Sequence, residues 1–358
     1  MTDVEQEQQG AAVDWRLAAS TGAFLVRGGP TVPRAEAEVA VRDLREMTVD
    51  AEAHVRELTG LGAGLPLLPG EVVDRPGWVR AAASGLDELT AGALAEATSR
   101  DGRTAGNGGP LGQVVAGGAG LQTGLVLAFL ASRVLGQYDP FGGPAKGGQL
   151  LLVAPNVVTA EHAMNVSGRD FRMWVCLHES THRLQFTAVE WLRDYFSGQV
   201  RTLVSGLGDT DGLGDLLKRL PDALRKRGDE SLGLGELIQS PAQRDVFDRL
   251  LALSTLLEGH ADYVMDAVGP AVVPSVETIR SRFTERRKGG GAVDRLLRSL
   301  LGIDAKVRQY ALGAKFTRHV VAEVGMDGFN AVWTSPETLP TRAEIAAPGD
   351  WVRRVHRG

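Results

Sequence analysis

Apolar residues recur every three or four positions along most of this chain, the period of a helix that buries one face. Residues 13–18 open a first helix, which Gly28, Gly29 and Pro30 stop. From Pro33 onward Ala35, Val39, Val41, Leu44, Met47, Ala51, Val55 and Leu58 fall on one side with charges between them, so a longer amphipathic helix is expected there. Residues 60–69 read as a loop, and Glu71, Val72 and Val73 as a short extended segment before a turn and a helix anchored by Trp78. Residues 114–134, rich in Gly, Ala and Leu, predict a buried helix whose glycines let neighbours come close. The apolar run 149–157 has the length and the glycine and proline boundaries of a strand. Helical periodicity then returns at 170–195, 243–268, 293–301 and 306–324, with a strongly basic segment at 279–288. The pattern as a whole predicts an α+β chain, predominantly α-helical, with a short strand or small sheet.

Two stretches break the pattern. Residues 99–112 and 206–235 are glycine-rich with mixed charges and are expected to be flexible loops; the basic clusters Lys218-Arg219 and Arg225-Lys226-Arg227 read as solvated surface. Residues 1–12 are polar and read as a disordered tail, which leaves 13–358 as a single expected domain. With 358 residues, 43% hydrophobic, 23% charged and a net charge of −5, the composition is that of an ordinary soluble protein with no basic excess for nucleic acid. The N-terminus is acidic and polar where a secretory signal is basic and then apolar, so a cytoplasmic protein is expected. No membrane span is expected either, because 114–134 contains Gln122, Thr123 and Arg133. Cys176, the single cysteine, has no intramolecular disulfide partner and reads as a small buried hydrophobe. Oligomeric state leaves no mark on the sequence.

The chemistry gathers in one periodic segment. Phe171, Trp174, Leu177, Leu184, Ala188, Trp191 and Tyr195 form an apolar side, and Val175, Phe186 and Val189 extend it, which predicts a helix buried on most of its circumference. Into it are set His178, Glu179 and His182, in the order His-Glu-x-x-His. Residues four apart on a helix stand one above the other, so both imidazoles can reach one ion while Glu179 lies about 100° round the axis. Zn²⁺ suits them: a catalytic zinc takes three protein ligands and leaves one position open, and a carboxylate beside it can act as general base, here Glu179.

A third ligand is expected on the helix at 243–268. Glu258 and Asp262 share a face there, flanked by Leu250, Leu253, Leu257, Val264 and Val268. Glu258 would complete a His-His-Glu set, and Asp262 would accept the outer ring N–H of a ligand histidine. His260 competes for the same role, but two residues away it points to the other side of the helix, so Glu258 is favoured. Tyr310, Tyr263 and His260 are candidates to stabilise an oxyanion. The run 150–154, shortly before the metal helix, could be the edge strand that pairs with an extended substrate, or a buried strand with no such contact.

Glu258-Gly259-His260-Ala261-Asp262 matches the Glu-x-x-x-Asp element of the gluzincin metallopeptidases, in which that Glu is the third zinc ligand and that Asp supports a ligand histidine. Over residues 13–355 the chain resembles the actinobacterial zincin-like metallopeptidase type 2 family, often labelled as associated with deazaflavin coenzyme biosynthesis. The resemblance rests on Gly136-Gln137-Tyr138-Asp139-Pro140-Phe141, Leu152-Val153-Ala154-Pro155-Asn156, the segment His178 to Phe186, and Leu257 to Asp262. Gly325 to Asn330 and Ser335 to Pro340 also carry it. It implies a zincin-like fold around a central metal helix, and zinc-dependent hydrolysis of a peptide or small amide substrate. The alternatives are a zincin-fold scaffold that keeps a structural zinc without turnover, against which Glu179 argues, and a non-peptide amidohydrolase.

Overall fold

The computed structural model describes residues 13–100, 110–143, 147–207, 241–288 and 303–357, with side chains left out at 92–100, 110–116, 205–207, 286–288 and 303–311. The chain opens with α1 (Trp15–Leu25) and α2 (Arg34–Thr59), then β1 (Glu71–Val73), α3 (Arg75–Arg100) and α4 (Pro110–Ala131). Two strands follow, β2 (Gly136–Asp139) and β3 (Gln149–Val153), and then α5 (Ala154–Met164), α6 (Gly168–Ala188) and α7 (Leu192–Leu207). The C-terminal part holds α8 (Pro241–Ala267), α9 (Val276–Lys288), α10 (Ile303–Phe329), α11 (Arg342–Ala346) and α12 (Pro348–His356). The result is the expected α+β architecture, mostly helical.

The strand expected over 149–157 stops at Val153, because Pro155 suits the first turn of a helix and starts α5 instead. It is also central. The sheet order is β1-β3-β2, with β1 parallel and β2 antiparallel to β3. That placement explains why β3 is apolar without alternation: both of its faces are covered. Leu150 and Leu152 enter the main core with Leu44, Met47, Phe171, Leu177 and Leu256, while Leu151 and Val153 face a second core of Ala18, Trp78, Val79, Leu127 and Ala131. Of the two readings of 150–154, the buried strand is the one found, and the edges of the sheet are β1 and β2, the latter from a segment read as a turn.

The helix expected at 114–134 begins at Pro110 and packs along α1, where a Cβ on Gly124 would stand 2.8 Å from the Ala18 carbonyl oxygen. Ser99 and Arg100 end α3 and residues 110–112 begin α4, so the loop expected at 99–112 is shorter at both ends. The rest of it, 101–109, lies outside the described residues, as do 1–12, 208–240 and 289–302, with the tail, the helix expected at 293–301 and the second loop except for 206 and 207, which end α7 instead. Among the described residues no helix is long and apolar enough to cross a membrane.

α6 runs through the middle of the main core. Ser167 accepts the Asp170 amide at 3.4 Å as its N-cap, and Phe171, Leu177 and Leu184 are fully buried, each such side chain worth about 1.5–3 kcal/mol. Two buried arginines fix its rotation. Arg172 bonds Asp43 at 2.9 Å and Glu161 at 2.6 Å, and Arg183 forms an ion pair with Glu52 at 2.5 Å, so α2 and α5 hold α6 by the flank that carries the two arginines.

Candidate metal centre

His178 and His182 rise one turn apart from α6, with their Nε2 atoms 3.1 Å from each other. Glu258 approaches from α8, its Oε2 3.6 Å from His178 Nε2 and 3.9 Å from His182 Nε2. One donor atom from each of the three lies within 4.8 Å of the others.

The far side of each ring decides where its proton sits. His178 Nδ1 lies 3.2 Å from the Met265 sulfur, and His182 Nδ1 lies 2.9 Å from Gln185 Oε1. A thioether sulfur and an amide oxygen only accept, so both Nδ1 atoms carry hydrogen and both Nε2 atoms present lone pairs. Two lone pairs and a carboxylate oxygen turned toward one point repel one another. A divalent cation among them converts that repulsion into bonding, and two neutral imidazoles with one carboxylate are a donor set that zinc accepts in open, catalytic sites.

Glu179 is buried beside this cluster, with its carboxylate against β2. A Cβ on Gly136 would fall 2.6 Å from Glu179 Cγ and 2.9 Å from its Oε1, so the side chain occupies space that only a glycine leaves. Burial, and then the charge of Glu258, push the Glu179 carboxyl well above the ordinary value of 4.5, and a hydrogen bond from the Tyr138 backbone offsets part of that.

The register of β2 adds a binding edge. Gly136 pairs with Leu152 while the Val153 amide donates to the Leu135 carbonyl at 2.9 Å, which makes Gly136 and Tyr138 the non-hydrogen-bonded positions of the ladder. Their backbone N–H and C=O groups project from the free edge, toward Glu179. A cavity of about 490 Å³ lies there, with His178, Glu179, His182 and Glu258 on one wall and Trp78, Leu86, Leu127, Leu130, Phe141 and Phe196 among its apolar lining. The Trp78 indole N–H donates to Gln137 Oε1 at 2.9 Å, which fixes the side chain of the strand's second residue.

The other expected site residues sit elsewhere. Asp262 does not support a ligand ring: its Oδ1 accepts from Arg280 at 2.7 Å and its carbonyl from the same guanidinium at 3.1 Å, because Arg280 reaches from α9 to that side of α8. Met265 and Gln185 occupy the positions behind the two histidines. His260 points into the core, fully buried and stacked on Phe329 at 5.1 Å, and is absent from the lining of the site cavity, where an oxyanion would form; burial, and then the nearby His182, lower it to about 3 and keep it neutral. Tyr263 is half-buried against the main core and is likewise absent from the cavity lining. The Tyr310 side chain lies outside the described residues. Gly136 and Gln185 are missed by a search for reactive side chains, although Gln185, three residues after His182, lies within reach of it on any helix.

The chain belongs to the zincin-like metallopeptidase family, which matches residues 13–352. It is also similar to a protein whose crystal structure is described as that of a "putative hydrolase with a novel fold" from Chloroflexus aurantiacus, at 28% identity and a TM-score of 0.65, over 97% of this chain and 99% of that one. No curated protein matches. Family and neighbour together support a hydrolase.

Proposed function

We propose that the protein is a zinc-dependent hydrolase of peptide bonds, with His178, His182 and Glu258 as zinc ligands and Glu179 as general base. The observation that carries this reading is the convergence of those three donors beside Glu179 in a cavity bordered by a free strand edge. Zinc, when bound, supplies Lewis acidity: it polarises a carbonyl and makes water acidic near neutral pH. Glu179 takes the proton of the attacking water on its carboxylate and passes it to the leaving nitrogen, a task suited to a buried carboxylate held beside the three donors. The outward backbone groups of Gly136 and the Tyr138 carbonyl, the Tyr138 N–H being taken by Glu179, pair with the main chain of an extended substrate, which favours a peptide over a small amide. Apolar walls around Leu127, Leu130 and Phe196 select an apolar side chain next to the bond that breaks.

The test joins metal analysis to turnover. Protein purified without added metal should contain one zinc per chain and cut members of a peptide library beside apolar residues. Glu179→Gln should keep the zinc and lose about 10²–10⁴-fold in rate, the usual contribution of a positioned base. A protein that cannot be loaded with zinc, or a Glu179→Gln variant that cuts as fast as the wild type, defeats the proposal.

A further inference from the structure

His182 is backed by a chain of buried polar groups that ends on another histidine. Gln185 is fully buried, and its amide is held on three sides: Oε1 lies 2.9 Å from His182 Nδ1, and Nε2 lies 3.0 Å from the Leu257 carbonyl and 3.0 Å from His260 Nδ1. The Leu257 carbonyl can only accept, so the amide nitrogen must face it. That fixes the flip of the side chain. The second amide hydrogen then meets His260 Nδ1, which must accept, and the amide oxygen is left to receive a hydrogen from His182 Nδ1.

His260 itself is not held for its own stability. Among the described residues its Nε2 has no hydrogen-bond partner, and its ring lies among aromatic neighbours, 5.1 Å from Phe329 and 5.6 Å from Trp333. A phenyl ring would fill that slot without burying an unsatisfied N–H, whose burial is a cost. What a phenyl ring lacks is the Nδ1 lone pair that takes the second amide hydrogen.

We infer that Gln185 and His260 are positioning residues for His182: the relay from His260 through the Gln185 amide locks the His182 ring in the tautomer and orientation that turn an unprotonated Nε2 toward His178 and Glu258. The metal part of this inference rests on the zinc-site reading given above, whereas the tautomer part does not. A neutral, solvent-exposed histidine side chain favours hydrogen on Nε2, which would close that position to a metal until the proton moved. The relay removes this competition in advance, as supporting hydrogen bonds behind ligand histidines do generally. It joins α6 to α8, the two helices that bring the three donors together.

The experiment has a metal-free arm and a metal arm. In the first, ¹⁵N chemical shifts of the His182 ring are measured in zinc-free wild type, Gln185→Met and His260→Phe at a pH where the ring is neutral. Wild type should show hydrogen on Nδ1, and Gln185→Met, which keeps the shape and loses all three bonds, should show a mixture dominated by hydrogen on Nε2. In the second, zinc affinity is measured by competition with a chelator. Gln185→Met should weaken it about 10–100-fold, the usual range for a lost partner behind a ligand. His260→Phe should weaken it less, and should cost nothing further in the Gln185→Met background, because His260 acts only through the amide. Wild type with hydrogen on His182 Nε2 overturns the relay, as does an unchanged tautomer in Gln185→Met or fully additive losses in the double variant. A wild type that shows the Nδ1–H tautomer and binds no zinc overturns the zinc reading while the relay stands.

Discussion

Glu179 owes its place to a residue with no side chain. The position a Cβ would take at Gly136 lies within 3 Å of three Glu179 atoms, all of them in the movable part of the carboxylate arm. Gly136→Ala should therefore push the base aside more than it strains the fold. A misplacement of about 1 Å at a reacting group is worth roughly 10²-fold in rate. The expected outcome is a kcat lower by about that factor, with zinc content and thermal stability close to wild type; a kcat that does not move would show that Glu179 has room to spare. The sequence made His178, Glu179 and His182 legible because they are local and share one helix period. Gly136 was not legible, since its contribution is an empty volume defined by a partner on another element. Asp262 failed for a related reason: its spacing from Glu258 was right, but Arg280, brought in by α9, takes its carboxylate.

Among the elements, α8 must sit close enough to α6 for Glu258 to reach the histidines, and its crossing with α10 holds it there. The two helices meet at Gly313 and at Gly259, the residue after Glu258. A Cβ on Gly313 would stand 2.1 Å from the Thr255 carbonyl oxygen, and one on Gly259 would stand 2.1 Å from the Gly313 carbonyl carbon. Both obstacles are backbone, so no rotamer change relieves them. Gly313→Ala should cost about 1–3 kcal/mol or more of stability, as overpacking does, and should also weaken zinc binding by pushing α8 away from α10. Thermal unfolding and zinc affinity measured on the same variant check this. Lost stability with unchanged affinity would mean that α8 is held at the site by α6 and α7 alone. Periodicity found α8 nearly to its ends, yet it could not show which helix sets its height. The same limit applies to the sheet: β3 was found as an apolar run, whereas β2, four residues at the free edge, reads as a turn because Gly and Asp bound it.

Seen as a whole, the molecule closes its C-terminal segment over the end of α2, the junction of α6 and α7, and α8. Asn330 donates to the Thr59 carbonyl at the end of α2 at 2.7 Å, the Trp191 indole between α6 and α7 donates to the Trp333 carbonyl at 3.0 Å, and Arg342 pairs with Asp248 on α8 at 2.6 Å. The segment is held on itself by Glu344, which accepts from Thr341 at 2.8 Å and from Arg354 at 2.6 Å and 3.0 Å, and by Trp351, fully buried against Phe316. Burial alone would raise the Glu344 carboxyl, but the hydrogen bonds and charge of Arg354, with those of Thr341, outweigh it and hold the group below the ordinary value of 4.5. A carboxylate whose folded value is depressed contributes stability that is present in full above its unfolded value and is lost as the pH falls through the folded one. Glu344→Gln should thus lower the denaturation midpoint by a constant amount at pH 5.5 to 8, and the gap from wild type should narrow as the pH drops below about 4.5. Parallel midpoints down to pH 3 would show that the Arg354 contact contributes through packing alone. Because this segment ties α2, α6, α7 and α8 together, the same variant should release zinc at a lower denaturant concentration than wild type at neutral pH, with its zinc affinity in the absence of denaturant unchanged.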